Sequence, residues 1–438
     1  MSTIFENLFY SKLGQGALSA VGVKPPIELP RYKGEQPWVS HTIGLAHTAS
    51  EGLAHVLNGC HINHELFHED KTYNGLLFDA TELTDSDDLQ TLYAFFNHAS
   101  KAINKTGRIL IVAKSPHDCD DIMQASIMQS LNGFTRSLAK ELGRKAIYVN
   151  LLYVDGEITE TASNPINFLL SHRASYVTGQ PLWLNNATVP SINWEQPLAG
   201  KTAVVTGAAQ GIGAAIARVL HQDGAHIIGL DMEGAKKALE STMAEVNGIA
   251  VCGDVTTEQV IDDLILAANK NPIDILVHNA GVTRDKTIAR MPQHFWDLTI
   301  NINLKAPISI TAGLEQKNAL SEHARIICIS SISGIAGNVG QTNYSTSKSG
   351  IAGYVSAQAE RWQGTHKTIN AIAPGFIETQ MTEQIPFMTR EMGRRMNSLS
   401  QGGKPEDVAQ AVALFAHPGS AALNGQLLRV CGQSLLGA

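Results

Sequence analysis

The chain has 438 residues, 44% hydrophobic and 17% charged, with a net charge of −7 at pH 7. That length predicts two or three domains, each able to bury its own core, and the composition excludes an intrinsically disordered chain. The acidic balance and the lack of a dense basic run exclude a general attraction to nucleic acid or anionic lipid, and no segment approaches the ~20 apolar residues that span a bilayer.

Met1–Gln15 carries Glu6 and no long apolar core, so no signal peptide is expected. Cys60, Cys119, Cys252, Cys328 and Cys431 form no CxxC pair and read as free thiols in a reducing compartment, which points to the cytoplasm.

In chain order, residues 1–190 read as an α/β domain that echoes the C-terminal half. Gly107-Arg-Ile-Leu-Ile-Val resembles Arg325-Ile-Ile-Cys-Ile, and Phe78-Asp-Ala matches His278-Asn-Ala. Gly133-Phe134 lies seventeen residues before Asn150, as Gly353-Tyr354 lies seventeen before Asn370. Val177-Thr-Gly-Gln-Pro-Leu resembles Leu423-Asn-Gly-Gln-Leu-Leu. Four segments in one order predict an internal duplication. The chemistry is absent from this copy. Leu13-Gly14-Gln15-Gly16 is too short to make a phosphate-binding turn, and ungapped alignment sets Gln124 opposite Tyr344, Met128 opposite Lys348 and Lys114 opposite Ser331. A catalytically silent domain is expected, followed by a polar linker over 185–196 that contains Pro190.

Residues 197–438 alternate β-rich runs with helical stretches, the pattern of a parallel sheet covered on both faces. Strands are predicted near Thr202–Thr206, His226–Asp231, Gly248–Asp254, Asp274–Asn279, Arg325–Ser331, Thr368–Pro374 and Gln426–Cys431. After the first comes Thr206-Gly207-Ala208-Ala209-Gln210-Gly211-Ile212-Gly213, whose glycines permit a tight turn that brings a pyrophosphate to a helix N-terminus. Asp231 ends the second strand eighteen residues past Gly213, where a carboxylate binds ribose hydroxyls and repels a 2′-phosphate. NAD(H) is therefore expected over NADP(H). Asp254 and Val255 follow the third strand toward the adenine; Asn279, Ala280 and Gly281 follow the fourth; Pro374 and Gly375 close the sixth. His278 reads as a packed strand residue.

Tyr344 and Lys348 stand at i and i+4 on a predicted helix, about 6 Å apart along one face. The Lys348 ammonium, helped by the positive nicotinamide of the oxidised complex, is expected to bring the phenol down from its ordinary pKa of about 10. Tyr344 then exchanges a proton with a carbonyl oxygen that Ser331 holds in line. Asn303 is a candidate anchor for a water between Lys348 and solvent. The segment Phe376–Ser400 mixes Phe376, Ile385, Phe387, Met388, Met392 and Met396 with Arg390, Arg394 and Arg395. This suits a flexible acyl chain with cations near a phosphopantetheine arm, or else an ordinary amphipathic helix.

Residues 197–438 resemble the short-chain dehydrogenase/reductase superfamily. Asn279-Ala-Gly-Val-Thr-Arg-Asp, Asn338-Val-Gly-Gln-Thr-Asn-Tyr344 and Ala373-Pro-Gly-Phe-Ile-Glu-Thr379 are similar to 3-oxoacyl-(acyl-carrier-protein) reductases. The whole length resembles the high-molecular-weight members, which carry a flavodoxin-like domain in front. The resemblance implies two doubly wound α/β domains, Rossmann-like and flavodoxin-like, the first a degenerate copy. It implies a tetrad of Asn303, Ser331, Tyr344 and Lys348, nicotinamide contacts from Ile377 and Thr379, and a homodimer. The implied reaction, in fatty-acid biosynthesis, reduces a 3-oxoacyl thioester of acyl carrier protein or CoA. Many short reductases of this group use NADPH, and Asp231 departs from that habit. The alternatives are the oxidative direction on 3-hydroxyacyl-CoA, another ketone, or a non-enzymatic dinucleotide-binding scaffold.

Overall fold

The computed structural model describes residues 25–34, 36–383 and 386–436; Met1–Gln15, the Leu13–Gly16 segment and Ile385 lie outside them. Among the described residues thirteen strands form two sheets. The first comprises β1 (Ile43–Leu45), β2 (His64–Leu66), β3 (Tyr73–Asp79), β4 (Ile103–Lys114), β5 (Tyr148–Val154) and β6 (Pro181–Leu184), in the order β2-β1-β3-β4-β5-β6. The second comprises β7 (Thr202–Thr206), β8 (His226–Asp231), β9 (Ile249–Cys252), β10 (Ile273–His278), β11 (Leu320–Ile329), β12 (Thr368–Pro374) and β13 (Leu427–Val430). Its order is β13-β12-β11-β10-β7-β8-β9. Every named strand pair is parallel, and β5 and β12 are buried at every position, as central strands with helices on both faces must be.

The first sheet carries helices α1 (Glu51–Gly59), α2 (Leu89–Ala102), α3 (Ile122–Leu142) and α4 (Ser163–Leu170). The second carries α5 (Gly211–Gln222), α6 (Lys236–Glu245), α7 (Gln259–Ala267), α8 (Gln293–Ile300), α9 (Ala306–Gln316), α10 (Ile332–Ala336), α11 (Thr342–Arg361), α12 (Gln380–Glu383), α13 (Phe387–Arg395) and α14 (Pro405–Ala416).

Setting β1 on β7 and β6 on β13 makes the two sheets congruent, with no counterpart of β9 in the first. Detail follows topology. The Asn150 amide donates to Val177 O at 3.0 Å and accepts from Gln180 N at 3.1 Å; Asn370 does the same with Leu423 O at 2.8 Å and Gln426 N at 2.9 Å. Arg108 pairs with Tyr148, two residues before Asn150, as Arg325 pairs with Thr368, two before Asn370. Asp79, at the end of β3, accepts the Ser50 N–H at 2.9 Å and so ties down the first strand-to-helix turn. Its counterpart Asn279 instead donates to Thr206 O and Gly207 O, at 3.0 and 3.1 Å.

The halves meet along α4 and α14. Both helices are buried on all sides, α4 throughout and α14 from Asp407 to Ala416, which marks them as interior elements rather than surface helices. Arg173 crosses the boundary. Its guanidinium pairs with Asp223 through contacts of 2.7 and 2.5 Å, donates to Gln410 at 2.6 Å and lies 4.2 Å from the centre of the Trp38 ring. Arg31 makes a bidentate pair with Asp407, at 2.8 and 2.9 Å. One hydrophobic cluster runs through both halves, from Leu53 and Phe168 to Val412 and Phe415.

Candidate active site

The site lies at the C-terminal edge of the second sheet, where open α/β sheets bind ligands. Gly207 and Gly211 have φ of +67° and +60°, conformations that side chains resist. Gly213 is required by proximity: a Cβ there would lie 1.9 Å from Gly207 O and 2.6 Å from Asn279 Nδ2. Gln210 caps α5 with extended backbone, and Ile212 occupies its first turn. Thr206 Oγ1 accepts the N–H groups of Asn279 and Ala280, both at 3.0 Å, so β10 and the turn are fastened together. Asp231 sits beside the turn and accepts the Ala209 N–H through Oδ2 at 3.0 Å and the Met232 N–H through Oδ1 at 2.9 Å. Lys236 pairs with Glu233. The cradle fits a dinucleotide pyrophosphate, with the Asp231 carboxylate fixed beside the turn.

Asp254 follows β9 as expected, but its Oδ1 accepts the N–H and hydroxyl of Thr256, at 2.9 and 2.8 Å, making a local turn. Val255 is half-buried. Gly375 packs against Cys431, Ile377 bridges to Gly403, and the Thr379 N–H donates to Thr382 Oγ1 at 2.8 Å. Pro374 ends β12.

Ser331 caps α10, its Oγ accepting the Ser333 N–H at 3.1 Å, and its side chain acts on Tyr344 to lower the phenol's pKa. Lys348 is 4% exposed and donates through Nζ to Ile329 O at 2.7 Å, with Nζ 5.8 Å from the centre of the Tyr344 ring. Burial brings its pKa down to about 8. In the protein itself burial pushes the pKa of the Tyr344 phenol up, against a smaller lowering by Ser331. Gly281 lies beside both Asn303 and Lys348, where a Cβ would be 3.2 Å from Asn303 Oδ1 and 3.4 Å from Lys348 Nζ.

Asn303 lies in a short π-helical turn, Asn301–Lys305, a feature often found at functional sites. Its amide accepts the Val282 N–H at 2.8 Å and donates to Val282 O at 2.9 Å and Ser347 Oγ at 3.2 Å. It therefore ties the loop after β10 to the helix carrying Tyr344 and Lys348. Two residues went unread in the sequence. Buried Asn343 donates to Arg284 O and Thr299 Oγ1, at 3.0 and 3.1 Å, and Ser330 Oγ donates to Lys348 O at 2.7 Å. Their signal was position, immediately before Tyr344 and before Ser331. His278 is the packed residue expected, 2.8 Å from Thr311 Oγ1, its pKa held down at about 3 by burial.

On the substrate side, Arg394 pairs with Glu378 through two contacts of 2.6 Å and also with Glu391; Arg395 pairs with Glu391, and Arg390 donates to Glu383 O. These pairs brace α13. Met388 and Met392 are exposed on the same helix. In the first half, the counterpart of the catalytic helix buries Met128 in the core where α11 carries Lys348.

A family model described as enoyl-(acyl carrier protein) reductase matches residues 207–432. Together with the two-sheet fold and this edge, it defines the class: the chain belongs to the short-chain dehydrogenase/reductase family. Among curated relatives, the 3-oxoacyl-(acyl-carrier-protein) reductase FabG of Thermotoga maritima is 38% identical over 242 residues, which cover 98% of that protein and 54% of this chain. The FabG of Rickettsia bellii is 40% identical over 240 residues and that of Vibrio harveyi 38% over 243, again spanning nearly all of each relative. The chain is thus homologous to oxidoreductases along its C-terminal half. No helix among the described residues is long and apolar enough to cross a membrane.

Proposed function

We propose that the chain reduces a 3-oxoacyl thioester to the 3-hydroxyacyl thioester with NADH, with the acyl group presented on acyl carrier protein or CoA. The observation that carries the reading is the cluster of Ser331, Tyr344 and Lys348 facing the glycine turn at one sheet edge. Gly207, Gln210, Gly211, Ile212 and Gly213 would hold the pyrophosphate, Asp231 the ribose, Asp254 and Val255 the adenine, and Ile377 and Thr379 the carboxamide. Bound there, a reduced nicotinamide supplies hydride to the carbonyl carbon. Tyr344 gives its phenolic proton to the carbonyl oxygen, Ser331 donates a hydrogen bond to the same oxygen, and Lys348 keeps positive charge beside the phenolate that forms.

Asp231 supports NADH: its carboxylate is fixed against the glycine turn, where a 2′-phosphate would meet like charge. The names of the relatives support the 3-oxoacyl substrate and the carrier protein. A homodimer is proposed through α9 and α11, whose outer face forms a groove of about 430 Å³ lined by residues including Ile308, Glu315, Tyr354 and Trp362. Removing the phenol tests the reaction. In Tyr344→Phe, turnover is expected to fall about 10²–10⁴-fold with cofactor affinity retained; unchanged turnover overturns Tyr344 as the proton donor, and no turnover in the wild-type protein returns it to the scaffold reading.

A further inference from the structure

Tyr176, in the half without catalytic residues, places its phenol beside the substrate-side segment of the other half. The residue is fully buried and has φ of +71°, a conformation that a bulky side chain holds only when its surroundings impose it. Its hydroxyl donates to Gln401 O at 2.9 Å, lies 3.4 Å from Phe376 O and accepts from Asn397 Nδ2 at 3.2 Å. Every one of these partners belongs to the catalytic half. They mark the two ends of the stretch Phe376–Gln401, which leaves β12 and returns before α14. The ends also bond to each other, through Gly403 N to Phe376 O at 3.0 Å and Glu378 N to Gly403 O at 2.8 Å. Under this junction lies the Tyr176 ring, so close that a Cβ on Gly403 would meet it at 2.4 Å.

The duplication sharpens the contrast. Matching Gly179-Gln180 to Gly425-Gln426 sets Tyr176 opposite Ala422, a residue too small to reach across. The silent copy thus carries a long polar side chain where its counterpart carries a methyl group. Neighbouring contacts converge on the same junction: Gln433 Nε2 donates to Arg136 O at 2.7 Å, Gly432 N donates to Tyr176 O at 2.9 Å, and Gln401 Nε2 donates to Ile27 O at 2.8 Å.

We infer that the N-terminal half is a positioning element for the substrate side of the catalytic half, with Tyr176 holding the two ends of Phe376–Gln401 in register. This inference rests on the proposed reductase reading for its kinetic consequence, though not for its structural one. The acyl thioester is the reactant this segment flanks, so its binding is the step that responds.

The test is Tyr176→Phe in the full-length protein, which keeps the ring and removes the hydroxyl. Two readouts are needed: steady-state kinetics with acetoacetyl-CoA, and hydrogen–deuterium exchange of the peptides covering 376–403. Expected is a rise of about five- to tenfold in KM for the thioester, with kcat within twofold, and faster exchange confined to those peptides. Gly403→Ala, which displaces the ring from the other side, is expected to reproduce both effects and provides a second route should Tyr176→Phe not fold. Unchanged KM and unchanged exchange in either folded variant overturn the inference. If wild-type protein does not turn over the thioester, the exchange readout still decides the positioning role, and the failure belongs to the reductase reading.

Discussion

The Lys348 ammonium lies 5.8 Å from the centre of the Tyr344 ring and donates to the Ile329 carbonyl at 2.7 Å. The amine is thus held at the end of the central strand β11, beside the phenol and shielded from water. Burial puts its pKa at about 8 and pushes that of Tyr344 above its ordinary value. Below pH 8 the amine is charged and the phenol protonated; above it the amine loses its charge first. The rate of reduction, as kcat/KM, is expected to fall as pH rises through about 8, approaching a tenfold loss per unit for one essential proton. A profile flat from pH 7 to 9.5 contradicts this.

The contact between the halves depends on a buried ion pair. Arg173 and Asp223 are 2% and 5% exposed. Removing one partner leaves the other charge desolvated, at a cost of about 3–5 kcal/mol. Arg173→Met is expected to destabilise the protein by that amount in urea titration, and Arg173→Met with Asp223→Leu to recover most of it. A loss below about 1 kcal/mol in the single variant, the value of an exposed pair, contradicts the buried role.

Acid sensitivity arises from two buried imidazoles and a half-buried one, His41. His41 is held down at about 4 and His278 and His417 at about 3, in each case first by burial. All three bind protons more readily in the unfolded chain, whose imidazoles titrate near 6.5. Their contribution to stability is present above pH 6.5 and is lost as pH falls toward 4. Each approaches a slope of about 1.4 kcal/mol per pH unit in that window. Melting temperatures measured from pH 7 to 5 are expected to drop, and His278→Gln to make the drop shallower. Identical slopes in the two proteins contradict the assignment to His278.

The cradle for the dinucleotide tolerates no side chain at its third glycine. Gly213→Ala forces a methyl group to within 1.9 Å of the Gly207 carbonyl unless the turn moves. Overpacking of about 1–3 kcal/mol raises the dissociation constant for NADH about 10- to 100-fold, measured by fluorescence titration. An unchanged constant means that this turn does not carry the pyrophosphate.

Local patterns made much of the site legible in the sequence. The glycine turn, Ser331 and the Tyr344–Lys348 spacing are each set by a few neighbouring residues, and the strand ends near them were placed within a few residues. The duplication was legible for the same reason: Asn150 and Asn370 repeat a spacing, and the structure gives them matching hydrogen bonds. What stayed hidden depends on partners distant in the chain. Nothing around Arg173 announces Asp223 fifty residues away, and nothing around Tyr176 announces Gln401. Asn303 was legible as a site residue, but its partners Val282 and Ser347 were not, because they come together only once β10 and α11 are packed. The sequence left the arginines of α13 open between substrate cations and an ordinary amphipathic helix, because their partners Glu378 and Glu391 are brought to them only by the fold.

The most direct measurement is the initial rate of NADH oxidation against NADPH oxidation, with acetoacetyl-CoA and a longer 3-oxoacyl-CoA, in wild-type protein and Asp231→Asn. Turnover that favours NADH, rises with the longer chain and loses about tenfold or more of its cofactor preference in Asp231→Asn is expected, since like charge against a 2′-phosphate costs several kcal/mol. A wild-type preference for NADPH, or no turnover with either thioester, contradicts it.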